Sequence, residues 1–181
     1  MDRPNVLFET CFVSHPESLF TRMREETEWD GRMRARLTAS FGQPYNYSGI
    51  SYPTAAWPAT VEGIVDNLER RLGFRPNNCL VNYYPTGDAT MGFHADSVAE
   101  LTPGTGVAIV SLGAERVLRF RSIHDKMVVH DFPLPPGSLL YMPASIQAEW
   151  KHAVPAQPEC GARISLTFRC LAGQPEGGGA P

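Results

Sequence analysis

Arg163-Ile164-Ser165-Leu166-Thr167-Phe168-Arg169 alternates without a break between polar and apolar side chains. A period of two is that of an extended strand, so Ile164, Leu166 and Phe168 share one face while Arg163, Ser165, Thr167 and Arg169 share the other. Working outward from this stretch, Cys79–Tyr84, Val107–Leu112, Arg116–Arg121, Met127–Phe132 and Ser138–Met142 are β-rich runs of similar length separated by turn residues, and Ala162–Cys170 encloses the quoted one. Strands at this spacing predict a β-sandwich or jelly roll. Pro135-Pro136-Gly137 is a turn feeding a strand, and Leu134, Leu139 and Leu140 belong in the core.

Before these runs the period changes. Ser14 followed by Glu17 has the capping-box pattern, and Leu19, Phe20 and Met23 recur at helical spacing, which predicts a helix from Pro16 to Thr27. Thr60 is placed to cap a second helix whose Val61, Ile64, Val65, Leu68 and Leu72 line one face and whose end is marked by Gly73. Between them, residues 29–57 are rich in Gly, Pro, Ser and aromatics and read as a loop or short hairpins. The expected class is therefore α+β: mostly β, with two N-terminal helices packed on the sheet. One domain over residues 1–171 is expected, with 172–181 a disordered tail that has nothing to bury.

The chain of 181 residues has a net charge of −3, which on average argues against a broad phosphate-binding surface. Arg32, Arg34 and Arg36 are a local exception, with a solvated mixed-charge surface as the plain alternative. The four cysteines form no C-x-x-C pair and no apolar stretch opens the chain, so a reducing cytoplasm is expected. No apolar run approaches the roughly 20 residues that cross a bilayer, so no membrane partner is expected. The chain is expected to act as a monomer.

The chemistry begins at Gly92-Phe93-His94-Ala95-Asp96. On an extended segment His94 and Asp96 point the same way, so one ion can touch both. His152, after the Ser138–Met142 strand, is placed to return to the same mouth, and two imidazoles with one carboxylate are the facial ligand set of a non-haem Fe(II) site. A bare His-x-Asp is common without a metal, so the arginine strand carries weight. If its polar face is interior, two guanidiniums are buried, and buried charge requires a partner. Their Cα atoms would stand ~20 Å apart at ~3.3 Å per residue, leaving room for both side chains to converge on a short dicarboxylate. If that face is solvent, they are ordinary surface arginines. His15, His124 and His130 are read as structural or surface residues.

Four motifs in order, Asn82-x-Tyr84-x-x-Gly87, His94-x-Asp96, His152 and Arg163-x-Ser165-Leu166-Thr167-Phe168-Arg169, resemble the AlkB-like Fe(II)- and 2-oxoglutarate-dependent dioxygenases, over about Trp29 to Arg169. Val110-Ser111-Leu112-Gly113-Ala114 and Tyr47-Ser48-Gly49 also look like that family's segments. The resemblance implies a double-stranded β-helix, with His94, Asp96 and His152 as iron ligands. It further implies 2-oxoglutarate held by Asn82 or Tyr84 with Ser165, by Arg163 at the distal carboxylate and by Arg169 at the keto-acid end. O2 would complete a reaction that yields succinate and CO2, hydroxylates an N-alkyl carbon and releases an aldehyde. Alkylated DNA or RNA, such as 1-methyladenine or 3-methylcytosine, is the implied substrate. An extruded base needs an aromatic platform. Tyr47 matches the family's position, with Tyr45 and Trp57 as further candidates, and loop packing is the plain alternative for all three. Arg32, Arg34 and Arg36 would contact phosphates from a lid spanning about 29–57.

Two departures stand out. Ser165 replaces an asparagine common in the family, and Val98 occupies the place where repair members carry an acid. The remaining alternatives are hydroxylation of a small metabolite, a tRNA base or a protein, or a non-catalytic cupin-like binding module.

Overall fold

The computed structural model describes residues 3–173. Most of the predicted tail, 174–181, lies outside the described residues.

Two antiparallel sheets face each other. In chain order the strands are β1 (Leu7–Glu9), β2 (Leu37–Gly42), β3 (Tyr45–Tyr47), β4 (Ile50–Tyr52), β5 (Asn78–Tyr84), β6 (Met91–His94), β7 (Gly106–Gly113), β8 (Arg116–Ser122), β9 (Val129–Leu134), β10 (Leu139–Pro143), β11 (Trp150–Val154) and β12 (Arg163–Arg169). The larger sheet runs β1-β10-β7-β12-β5-β2, the smaller β6-β11-β8-β9, and β3-β4 is a separate hairpin. This is the jelly-roll arrangement expected from the strand spacing.

Alternation decides which core each residue joins. In β12, Ile164, Leu166 and Phe168 are at most 1% exposed and pack with Val81, Val110 and Leu112. That outer face is covered by α1 (Pro16–Glu26) and α2 (Ala59–Leu72), which bring Met23, Val61, Ile64, Val65 and Leu68. The inner face meets Leu118, Phe120, Phe132, Leu134, Trp150 and Val154 between the sheets. Each such fully buried aliphatic or aromatic side chain contributes about 1.5–3 kcal/mol, and slipping β12 by one residue would exchange its two faces and put the arginines into the helix-covered core.

Both helix starts differ from expectation. His15, not Ser14, stands at the cap of α1, in the left-handed region at φ 54, and no side chain caps the helix. Pro58 precedes α2 in extended geometry, its carbonyl accepting from Val61 N at 2.8 Å. Thr60 is buried inside the helix and turns its hydroxyl toward Met23 Sδ at 3.5 Å. Gly73 ends α2 at φ 79 with its N–H on the Glu69 carbonyl, as expected.

Residues 29–57 hold more order than composition indicates. Leu37–Gly42 pairs along its length with β5, although Ala39, Ser40 and Gly42 have little intrinsic strand preference. The β3–β4 turn places Ser48 at φ 50 and Gly49 at φ 76, the two positive values that a tight two-residue hairpin requires.

Candidate active site

The polar face of β12 is interior: Arg163, Ser165, Thr167 and Arg169 are 1%, 4%, 8% and 2% exposed. β12 lies between β5 and β7, with Ser165 opposite both Asn82 and Ser111 and Arg163 opposite Tyr84. The smaller sheet completes the chamber, because β11 pairs with β6 so that His152 lies directly across from His94. The His94 and His152 rings are 4.3 Å apart. Asp96 follows the end of β6, and the donor atoms of His94, Asp96 and His152 all lie within 4.8 Å of one another. Together with Asn82, Tyr84 and Tyr47, these groups line one small cavity.

Each ligand is held differently. His94 Nδ1 is 3.0 Å from the Gly92 carbonyl, which assigns its proton there and leaves Nε2 for an ion. His152 is buried and its Nδ1 has no hydrogen-bond partner among the described residues. Burial drives its imidazole down to about 4, against the pull of Asp96, so it is neutral near pH 7. Its Nε2 lies 3.6 Å from Asp96 Oδ2, which for a neutral ring is the spacing of two ligands of one ion and not an ion pair. Burial pushes the Asp96 carboxyl up, but Arg169 and the two histidines outweigh it and hold it below the usual range. Arg169 Nη2 donates to Asp96 Oδ1 at 2.8 Å, and the Asp96 backbone N–H donates to Gln147 Oε1 at 2.9 Å.

The arginines carry unmet demand. Arg163 Nη2 donates to Ser111 Oγ at 2.9 Å, while its Nε and Nη1 and the Arg169 Nε are buried without hydrogen-bond partners among the described residues. Burial pulls the Arg163 guanidinium down. Both guanidiniums sit over tyrosine rings, Arg163 at 5.4 Å from Tyr84 and Arg169 at 4.7 Å from Tyr45. Buried N–H groups without acceptors cost free energy until an anion arrives, so a carboxylate ligand fits this wall, as a divalent ion fits the two imidazoles and one carboxylate opposite.

Of the sequence-predicted residues, the structure gathers His94, Asp96, His152, Asn82, Tyr84, Arg163, Ser165, Arg169 and Tyr47 around this cavity. Tyr45 is buried behind it, its ring stacked beside that of Tyr47 at 6.3 Å. Four others lie elsewhere. Trp57 stacks on Phe168, on the helix-covered face of the larger sheet. Arg32 is exposed and paired with Asp30 through Nε at 2.8 Å, Arg34 is exposed, and Val98 is 46% exposed to solvent. Arg36 corrects the lid assignment: it is 8% exposed and turned inward, donating to Asn82 and Tyr47.

Two residues escape the motif reading. Gln147, in the 3-10 turn Ala144–Ala148, carries no signal because its role is a long-range contact. Arg116, fully buried, donates to the Ala89 and Pro155 carbonyls at 2.9 and 2.6 Å and so ties the loops flanking β6 and β11. Its parity with Leu118 and Phe120 was the available signal. Gly87 ends the Asn82 motif because a Cβ there would lie 1.8 Å from the Gln157 carbonyl oxygen.

The family model described as 2OG-Fe(II) oxygenase superfamily matches residues 6–169. The chain belongs to this superfamily. Fe(II), 2-oxoglutarate and O2 are what such an oxygenase uses, and the His94–Asp96–His152 cluster and the arginine wall fit the first two. The oxygenase is 33% identical over 166 residues to "DNA oxidative demethylase ALKBH2" of Homo sapiens, covering 87% of this chain and 64% of that protein. It is 28% identical over 179 residues to "Alpha-ketoglutarate-dependent dioxygenase alkB homolog 3" of Rattus norvegicus, covering 88% of this chain and 61% of that one. The AlkB-like resemblance read from the motifs is thereby borne out, although the chain spans less than two thirds of these relatives' length. In fold it is similar to "The structure of OsALKBH1", with a TM-score of 0.69 and 17% identity, over 93% of this chain and 99% of that one.

Proposed function

We propose that this oxygenase oxidatively removes alkyl groups from base nitrogens, as in 1-methyladenine or 3-methylcytosine, in DNA or RNA. The observation that carries the reading is one cavity that combines the His94–Asp96–His152 cluster, the unmet N–H groups of Arg163 and Arg169, and the ring of Tyr47 on its wall. The names of the relatives in human and rat support it.

Bound Fe(II) with 2-oxoglutarate and O2 supplies a two-electron oxidation of a C–H bond, leaving succinate and CO2; the hydroxylated alkyl group then departs from nitrogen as an aldehyde. The protein's part is placement. Arg163, anchored by Ser111, holds the distal carboxylate. Arg169 stands between that wall and Asp96, so one guanidinium orients a metal ligand and meets the keto-acid end. Tyr47 stacks on the extruded base, with Tyr45 behind it. The β3–β4 hairpin that carries Tyr45 and Tyr47 forms the substrate-side cover, and Arg34 meets phosphate. The four cysteines, unpaired, suit a reducing cytoplasm, and no helix among the described residues is long and apolar enough to cross a membrane.

A second reading, hydroxylation of a smaller substrate, is favoured by one observation. With Arg32 paired to Asp30 and Arg36 buried, the stretch offers Arg34 alone for phosphate.

The test is incubation with Fe(II), 2-oxoglutarate and oligonucleotides bearing either lesion, followed by mass analysis, with His94→Ala as control. Loss of a methylene unit supports the reading. Succinate formed while the oligonucleotide keeps its methyl group keeps the oxygenase and discards the nucleic-acid substrate.

A further inference from the structure

Arg36 is a buried cation with no carboxylate paired to it among the described residues. It leaves the chain one residue before β2, beside the wall formed by β5. Its Nε–H donates to Asn82 Oδ1 at 2.6 Å and its Nη2–H to the Tyr47 hydroxyl at 3.1 Å. The guanidinium carbon is 5.8 Å from the centre of the Tyr47 ring. Asn82 lies opposite Ser165 on the strand beside β12, in the same wall as the arginines, whereas Tyr47 ends β3 just before the Ser48-Gly49 turn. One side chain therefore touches two walls of the cavity that share no strand pairing.

The donor inventory sets what this contact does. A guanidinium only donates, so Arg36 holds the Asn82 amide with its oxygen toward itself and keeps the amide N–H groups for an acceptor in the cavity. The Tyr47 hydroxyl accepts from Arg36 and is left to donate toward Met91 Sδ, 3.9 Å away. A buried cation satisfied only by neutral acceptors is strengthened by an anion placed nearby.

We infer that Arg36 is a positioning residue that couples the two binding events: a dicarboxylate on the Asn82 side orders Arg36, and Arg36 sets the Tyr47 ring against which the substrate packs. Co-substrate and substrate then bind with positive linkage, each tightening the other by the same factor. The inference rests on the function proposed above.

The experiment uses the full chain loaded with Mn(II), which allows binding without turnover. Calorimetry reads 2-oxoglutarate affinity. Fluorescence anisotropy reads a labelled single-stranded oligonucleotide containing one 1-methyladenine, with and without saturating 2-oxoglutarate. The wild type should bind the oligonucleotide about fivefold or more tightly when 2-oxoglutarate is present. Arg36→Met should bind both ligands with that factor reduced to within about twofold of unity, and adding Tyr47→Phe should change the factor no further. Should Arg36→Met not fold, Arg36→Gln reads the same quantity. Full coupling in the variant, or no coupling in the wild type, overturns the role of Arg36 while both ligands still bind. A wild type that binds neither ligand overturns this role together with the proposed function.

Discussion

Arg169 reaches from the middle of the larger sheet to Asp96, with Nη2 2.8 Å from Oδ1 and side-chain exposures of only 2% and 4%. The pair joins a metal ligand to the wall proposed for the co-substrate. In so dry a place the two charges depend on each other, since removing one strands the other.

Arg169→Met should therefore destabilise the metal-free protein by about 3–5 kcal/mol, because Asp96 is left buried and unpaired. Urea denaturation measures it. A loss below about 1 kcal/mol would show that water or a rearranged group replaces the guanidinium.

Arg163 should behave in the opposite way. Its Nε and Nη1 are buried without acceptors among the described residues, and burial already disfavours its charge. Arg163→Met should leave the melting temperature of the ligand-free protein unchanged or raised. Added 2-oxoglutarate, which stabilises the wild type by mass action, should no longer do so. A variant still stabilised by the co-substrate excludes Arg163 as its anchor.

His152 makes the metal-free protein acid-sensitive. Its unfolded value is near 6.5 and its folded value about 4. Between these the unfolded chain binds the extra proton, so stability is full above pH 6.5 and falls as pH drops through that window. Going from pH 7 to pH 5 should cost about 2 kcal/mol. Denaturation curves at the two pH values check it, with His152→Asn as the comparison, and an equal slope in the variant would assign the loss to other groups.

Gln147 holds the Asp96 backbone from outside the ligand set. Gln147→Ala should weaken metal binding about 10-fold or more, the usual effect of losing an outer support. Competition with a chelator reads this directly, and unchanged affinity would mean that Arg169 alone fixes Asp96.

The two exposed lid arginines should differ. Arg34→Glu should weaken oligonucleotide binding and flatten its dependence on salt, while Arg32→Glu should do less because Asp30 already holds Arg32. Equal effects would show that the Asp30 pair opens on binding, and no effect from either would remove this stretch from the nucleic-acid surface.

Local periodicity was enough to place six of the twelve strands among the described residues and both helices, since alternation in Arg163–Arg169 or the Val61–Leu72 spacing is written in neighbouring residues. The spacing of His94 and Asp96 likewise showed that they share a face. β2 was hidden because its pairing with β5 outweighs its weak preference, and the cap at Pro58 because Thr60 is drawn into the core toward Met23. That both faces of β12 are dry, that Arg36 turns inward, and that Trp57 packs behind Phe168 were decided only in three dimensions. Those outcomes depend on what the opposite strand or helix presents, and no window of neighbouring residues contains it. The sequence by itself determined the pattern of faces and the donor types. Tertiary structure decided what covers each face, because burial is a property of contacts between segments far apart in the chain.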